Sequence, residues 1–217
     1  MNRNKFSFGG PFFFPSFRSS RFRPEPPAQG SRLSHMERSK PLLILDLDET
    51  LIFASEIALR AECDFRVDEF FVYKRPNLDA FLSLVAIRFD LAIWSSASRD
   101  YVQTIADELG EECEWKFVWS RSRCVQRYHY ERMERYFIKD LRKAERHGYD
   151  LEQMLIVDDT PLKVSRNYGN AVYVRSWEGS AEDQELLLLG PYLCRLAASP
   201  NFRTIEKRGW RNNMRSR

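Results

Sequence analysis

The sequence predicts an α/β fold, a mostly parallel sheet flanked by helices. Two observations carry this reading. Short apolar runs alternate along the chain with amphipathic stretches of helical spacing, which is the pattern of βαβ units. Three of those runs also end in carboxylate or hydroxyl clusters, Asp46 with Asp48, Ser95 with Ser96, and Asp158 with Asp159. Sheets of this class bind ligands beyond the carboxyl ends of their strands.

The elements follow in order. A first strand is expected at 42–46, from Leu42-Leu43-Ile44-Leu45, and it runs into Asp46-Leu47-Asp48-Glu49-Thr50. If the chain coils just past the strand end, Asp46 and Asp48 pair two carboxylates at the mouth of the sheet. One can attack an electrophile while the other moves a proton; an ordinary acidic turn is the plainer alternative. Residues 52–72 read as a short flap ending in a strand at 70–73, and a helix follows at 77–87. The strand at 90–95 stops at Ser95-Ser96-Ala97-Ser98 before a helix at 98–109. That turn offers a hydroxyl and free N–H groups to an anion, or Ser95 simply caps the helix. A strand at 116–119 leads into an insert, 120–137, and then into a predicted amphipathic helix at 138–147 with Lys139 at its start. Taken by itself, Lys139 also fits a solvated first-turn lysine. A buried strand at 153–158 ends in Asp158-Asp159-Thr160-Pro161, where either carboxylate can also cap the turn before proline. A strand at 171–174 and a helix at 181–197 complete the pattern.

The order DLDET, IWSSA, IKDL and IVDDTP resembles the four motifs of the haloacid-dehalogenase superfamily. Within it the chain is most similar to the small phosphatases of the RNA polymerase C-terminal-domain type, also called NLI-interacting-factor-like. Tyr73-Lys74-Arg75-Pro76, Ser122-Arg123-Cys124 and Val174-Arg175-Ser176-Trp177 support the subfamily, and the likeness covers roughly residues 40–200. It departs at Asp159, where many relatives carry Asn, and at Ser95, where many carry Thr. The resemblance implies a Rossmann-like, HAD-like fold with a short flap, a small insert and no large cap domain. It implies Asp46 as the nucleophile, Asp48 as general acid and then base, Ser95 holding phosphoryl oxygens and Lys139 offsetting their charge. It implies Mg2+ as cofactor, held by Asp46, the Asp48 carbonyl, Asp159 and, directly or through a second layer, Asp158. Thr50 and Ser96 are expected to contribute to substrate binding.

An uncapped site is open to a large substrate, so a phosphoserine or phosphothreonine protein is the expected partner. In the insert, Arg121, Arg123, Arg127, Arg132 and Arg135 alternate with Trp119, Tyr128, Tyr130 and Tyr136. A solvated hairpin explains this pattern; so does a groove in which Arg127 and Arg132 read an acidic or phosphorylated peptide. Two other readings of the chain stay open. One is a small-molecule phosphatase with the same chemistry. The other is a binding module on an inactive fold, against which the intact Asp46, Asp48, Lys139 and Asp159 argue.

Charge divides the chain into three expected parts: an arm at 1–39, the domain at 40–202 and a basic tail at 203–217. Residues 1–40 carry eight Lys or Arg and two Glu, residues 203–217 carry six and one, and the segment between carries 20 basic against 28 acidic residues. The arm interleaves seven Phe with Gly and Pro and is expected to be a disordered tail. Alternatives are a start at Met36 or an organelle transit segment, although Pro and Gly break any amphipathic helix there. The basic arms can bind acidic partners; the domain itself shows no nucleic-acid platform. Cys63, Cys113, Cys124 and Cys194 form no close-spaced pair, so reduced thiols in the cytoplasm or nucleus are expected. No apolar run reaches the ~18 residues of a membrane span, and a monomer is expected.

Overall fold

The structure, a computed structural model, describes residues 40–110, 113–131 and 133–212. The expectations for the arm at 1–39, for Met36 and for Arg132 concern residues outside that set.

The central sheet holds β1 (Leu42–Leu45), β5 (Asp90–Trp94), β6 (Trp115–Trp119), β9 (Met154–Asp158) and β10 (Ala171–Tyr173) in the order β10-β9-β1-β5-β6. Every neighbouring pair is parallel. Strands covered on both faces can be apolar throughout, and β1 and β9 are buried at every position. Alternation then sorts their side chains. Leu43, Leu45, Leu91, Ile93, Leu155 and Val157 face one core. There they meet α1 (Leu78–Ala86), α2 (Arg99–Leu109) and α3 (Glu185–Leu196). Leu42, Ile44, Ala92, Trp94, Met154 and Ile156 face the other, against Leu141 and Ala144.

Register decides where the chemistry sits. Leu45 lies opposite Ile93 on one side and Val157 on the other. The next residue of each strand is therefore Asp46, Trp94 and Asp158, with Ser95 one step on, all at the carboxyl edge of the sheet.

The flap is a small antiparallel sheet of β2 (Ile52–Ser55), β3 (Phe65–Val67) and β4 (Phe70–Lys74), in the order β2-β4-β3. The insert is a hairpin, β7 (Val125–His129) paired with β8 (Glu134–Ile138), preceded by a 3-10 turn at Arg121–Arg123.

Two expectations are corrected. No α-helix spans 138–147. Strand β8 runs through Ile138, Asp140 stays extended as the cap of the next turn, and the residues before the left-handed Gly148 wind as 3-10 turns at Leu141–Lys143 and Glu145–His147. Leu141 and Ala144 are three apart, a spacing that both helix types share, so periodicity alone reads as an α-helix. Residues 203–212 do not form a tail. Trp210 is buried and stacks on Tyr192 with ring centroids 5.3 Å apart, while Arg211 pairs with Glu185 of α3.

Among the described residues no helix is long and apolar enough to cross a membrane.

Candidate active site

The chain coils immediately after β1. The N–H groups of Thr50, Leu51 and Ile52 all donate to the Leu47 carbonyl, and Glu49 takes a left-handed conformation at φ 58°. This tight loop presents Asp46 and Asp48 to the same mouth while burying Leu47 and Leu51 beneath them. Arg75, itself fully buried, holds the loop from behind: its Nη1 donates to the Thr50 carbonyl at 3.0 Å, and its Nε and Nη2 donate to Asp183 at 2.8 and 2.9 Å.

Lys139 is the centre of charge. Its Nζ lies 2.6 Å from Asp46 Oδ1 and donates to Asp158 Oδ2 at 2.6 Å, with all three side chains buried. The Asp46 contact is a close ion pair without hydrogen-bond alignment, and that oxygen has no hydrogen-bond partner among the described residues. Burial pulls the Lys139 ammonium down, but the charges of Asp158 and Asp46 overcome it and the net direction is up. Burial, followed by the Asp46 charge, pushes Asp158 up, opposed by the ammonium it touches. Sharing one ammonium between two carboxylates keeps Lys139 charged, and this is the arrangement the 2.6 Å contacts describe. The Lys139 backbone is clamped as well: its N–H donates to the Lys163 carbonyl at 2.7 Å, and its own carbonyl accepts from Asn167 Nδ2.

Asp48 has a different environment. Tyr101 of α2 donates to its Oδ1 at 2.7 Å and Ser95 Oγ donates to its Oδ2 at 3.3 Å. Burial raises its pKa, the Asp46 charge adds to the rise, and the Tyr101 hydrogen bond opposes it. A carboxyl raised by desolvation beside a carboxylate held by lysine is the division of labour expected of a proton donor and a nucleophile. The Ser95 hydroxyl also accepts the Ala97 N–H at 3.0 Å, which shapes the turn ahead of α2.

Asp46, Asp158 and Asp159 each place a carboxylate oxygen within 4.8 Å of the others. An all-oxygen donor set suits a hard divalent cation such as magnesium. Lys163 supplies a stand-in positive charge there: its Nζ lies 3.3 Å from Asp46 Oδ2 and 3.6 Å from Asp159 Oδ1. The donor set therefore fits a cation. The Asp48 carboxylate, turned to Tyr101 and Ser95, lies outside this cluster.

The sheet thus gathers Asp46, Asp48, Ser95, Lys139, Asp158 and Asp159, and Ser96 stands half-buried beside them with its carbonyl bound by Arg121 Nε at 2.6 Å. Thr50 lies beneath the loop rather than at its surface. It is fully buried, and its Oγ1 has no partner among the described residues. Arg127 is exposed on β7, its Nη1 donating to the Gln126 carbonyl at 3.4 Å, and is not drawn into the carboxylate cluster. Two residues that contact the carboxylates were missing from the sequence expectation, Lys163 and Tyr101. Lys163 follows the Asp158-Asp159-Thr160-Pro161 turn closely enough to fold back on it, and that spacing is the one signal pointing to it.

CTD nuclear envelope phosphatase 1 of Xenopus laevis is 30% identical over 200 residues, covering 85% of this chain and 78% of its own length. CTD small phosphatase-like protein of Homo sapiens is 29% identical over 178 residues, covering 78% of this chain and 61% of its own. An uncharacterised protein of Schizosaccharomyces pombe is 29% identical over 176 residues, covering 78% of this chain, which spans 51% of that protein. The solved structure of Fcp1, an essential RNA polymerase II CTD phosphatase, aligns over 67% of this chain and 44% of that one, at 17% identity and a TM-score of 0.49. The family model for NLI interacting factor-like phosphatases matches residues 41–203, a span that contains every carboxylate, hydroxyl and lysine of the site just described. The chain belongs to the NLI interacting factor-like phosphatase family.

Proposed function

We propose that the chain hydrolyses phosphomonoesters of serine or threonine in proteins, with magnesium, through a phosphorylated Asp46. The observation that carries this is the contrast between two carboxylates on one loop. Asp46 is paired to the buried ammonium of Lys139 at 2.6 Å, whereas burial raises Asp48, hydrogen-bonded only to hydroxyls.

In the first step an Asp46 oxygen attacks phosphorus in line, forming an acyl phosphate as the ester P–O bond breaks, and Asp48 gives its proton to the departing serine oxygen. In the second, Asp48 takes a proton from water. The hydroxide so formed attacks phosphorus, the Asp46–phosphorus bond breaks, and inorganic phosphate leaves. Ser95 Oγ and the N–H groups of its turn are placed to hold phosphoryl oxygens. Lys139 stays charged throughout and keeps Asp46 ionised and oriented. Asp46 and Asp159, with the Asp48 carbonyl and with Asp158 behind, would hold the magnesium, which supplies charge neutralisation between carboxylates and phosphate.

Relatives named CTD phosphatases favour a protein substrate, as does the absence of any large cap in the described fold. Cys63, Cys113, Cys124 and Cys194 form no disulfide, which fits a reducing compartment, cytoplasmic or nuclear, and we place the chain there as a monomer.

The test compares phosphoserine peptides with sugar and nucleotide phosphates, with and without magnesium. Peptides should show the higher kcat/KM, chelation should abolish turnover, and Asp46→Asn should lower kcat by several orders of magnitude at unchanged melting temperature. Better turnover of metabolites, or activity of Asp46→Asn within tenfold of the parent, would overturn the reading.

A further inference from the structure

A basic trough opens beside the site. Two cavities, of about 370 and 490 Å³, share Ser122 and Arg123 as lining and so adjoin at that pair. The first is floored by Trp119 and flanked by Arg99, at the first turn of α2. The second is lined by Arg142, Lys143, Arg146 and His147. Asp140 is the one carboxylate among the described lining residues, and its charge is spent on Arg142, at 2.7 and 3.0 Å, and Arg166, at 2.8 Å. Lys143 donates to carbonyl oxygens only, Arg123 O at 2.7 Å and Cys124 O at 3.4 Å, so its charge is not cancelled there. Arg123 lies over the Trp119 ring at 5.2 Å, and Arg146 is exposed.

Residues 41–202 carry 20 basic and 28 acidic side chains, yet the trough collects cations around one neutralised carboxylate. A merely solvated rim of an acidic domain would carry both signs.

The trough is also coupled to the site. It begins at Trp119, the last residue of β6, on the same carboxyl edge of the sheet as Asp46. Arg121, between Trp119 and Arg123, donates to the Ser96 carbonyl at 2.6 Å. Lys143 stands four residues after Lys139, and its Nζ donates to the Arg123 carbonyl at 2.7 Å, which ties the lysine segment to the trough. An extended peptide advances ~3.3 Å per residue, so three to five residues from a phosphoserine at Asp46 span roughly 10–17 Å.

We propose that this trough binds a second phosphate on the same substrate segment, so that the chain selects multiply phosphorylated peptides with phosphates roughly three to five residues apart. The selectivity rests on the phosphatase reading above, but the binding site itself does not, and the experiment separates the two.

Fluorescence anisotropy on the full chain carrying Asp46→Asn compares three labelled peptides: one phosphoserine in neutral surroundings, the same with a second phosphoserine four residues away on either side, and the same with Glu there. The second phosphate should tighten Kd about tenfold at 0.1 M salt, as expected of two exposed guanidinium contacts, with Glu giving less. The gain should shrink at 0.5 M salt. Arg123→Gln with Arg146→Gln should abolish the gain while leaving the singly phosphorylated Kd unchanged. In the parent background the same pair should leave p-nitrophenyl phosphate turnover unchanged. Arg146→Glu, at an exposed position that folding tolerates, should invert the preference. Equal Kd for the singly and doubly phosphorylated peptides, a gain that survives the double substitution, or equal binding of an RNA oligonucleotide of matched charge overturns the proposal. A chain that hydrolyses no phosphomonoester but still shows the arginine-dependent gain overturns the phosphatase reading alone.

Discussion

Asp48 meets two hydroxyls, Tyr101 at 2.7 Å and Ser95 at 3.3 Å, while Asp46, two residues earlier, meets two ammonium groups. The same side-chain type is thereby given opposite work. If Asp48 protonates the leaving oxygen, its value depends on how badly that oxygen needs a proton. Asp48→Asn should therefore lower kcat on alkyl phosphates by about 10²–10⁴, and on aryl phosphates, whose phenolate leaves unaided, by far less. Equal losses on both would leave Asp48 with a purely structural role. At this scale the motif positions were legible because each stands where an apolar run stops, and strand ends are visible in sequence. Lys163 was not, since nothing in Thr160-Pro161-Leu162-Lys163 tells which way the turn folds. Tyr101 was hidden differently: it adjoins the buried stripe Val102, Ile105, Ala106 and Leu109 of α2, so periodicity assigns it to the core while its hydroxyl serves Asp48.

Among elements, the parallel strands were readable because burial on both faces leaves them uniformly apolar, as in β1 and β9. The flap and the turns at 141–147 were read less well, because three-residue spacing fits several structures and the ties that hold such elements are made to partners distant in sequence. The tie between flap and α3 is of that second kind. Asp183 accepts both Arg75 nitrogens and, through Oδ1, the Glu185 N–H at 2.9 Å, at the head of α3. Burial raises its carboxyl, but the Arg75 fork and the Glu185 N–H outweigh burial and hold it below the usual carboxylate range. A depressed folded pKa contributes stability that is complete above the ordinary value near 4 and is lost as pH falls through the folded one. Asp183→Asn leaves Arg75 buried without a counter-charge, which costs roughly 3 kcal/mol, or about 6–12 °C in Tm, at neutral pH. In urea unfolding at a series of pH values, the gap between parent and variant should be constant at neutral pH and close below about pH 4. A gap that stays constant down to pH 2.5 would show that the shape of Asp183, not its charge, ties the flap to α3.

For the whole molecule, the boundary of the fold lies beyond the boundary of the family match. That match ends at residue 203, and charge counting also reads a basic tail from there, yet packing continues through Arg211. Three contacts explain why. Trp210 fills a site against Tyr192 and donates through Nε1 to the Tyr173 carbonyl at 2.9 Å, closing the open edge of β10. Arg211 binds Glu185, whose Oε1 in turn accepts the Arg175 N–H at 3.0 Å. Lys207 is buried with its Nζ on the carbonyls of Phe202 and Ile205, at 2.5 and 2.7 Å. The basic residues that look like a tail by count are here local ties, because a lysine or arginine can bury its stem and spend its charge on backbone oxygens or one carboxylate. Ending the chain at residue 203 removes a buried tryptophan and leaves Glu185, 5% exposed, as a buried carboxylate without its arginine. Trp210→Ala alone should cost about 3–5 kcal/mol, and the truncation more. Thermal melts should then fall by at least ~10 °C for the truncated chain, or the chain should fail to fold. Trp210→Phe keeps most of the packing and loses only the bond to Tyr173, so it should recover the larger part of that loss, with aryl-phosphate turnover per folded molecule unchanged. A truncated chain that melts within a few degrees of the parent would return residues 204–212 to the status of a tail.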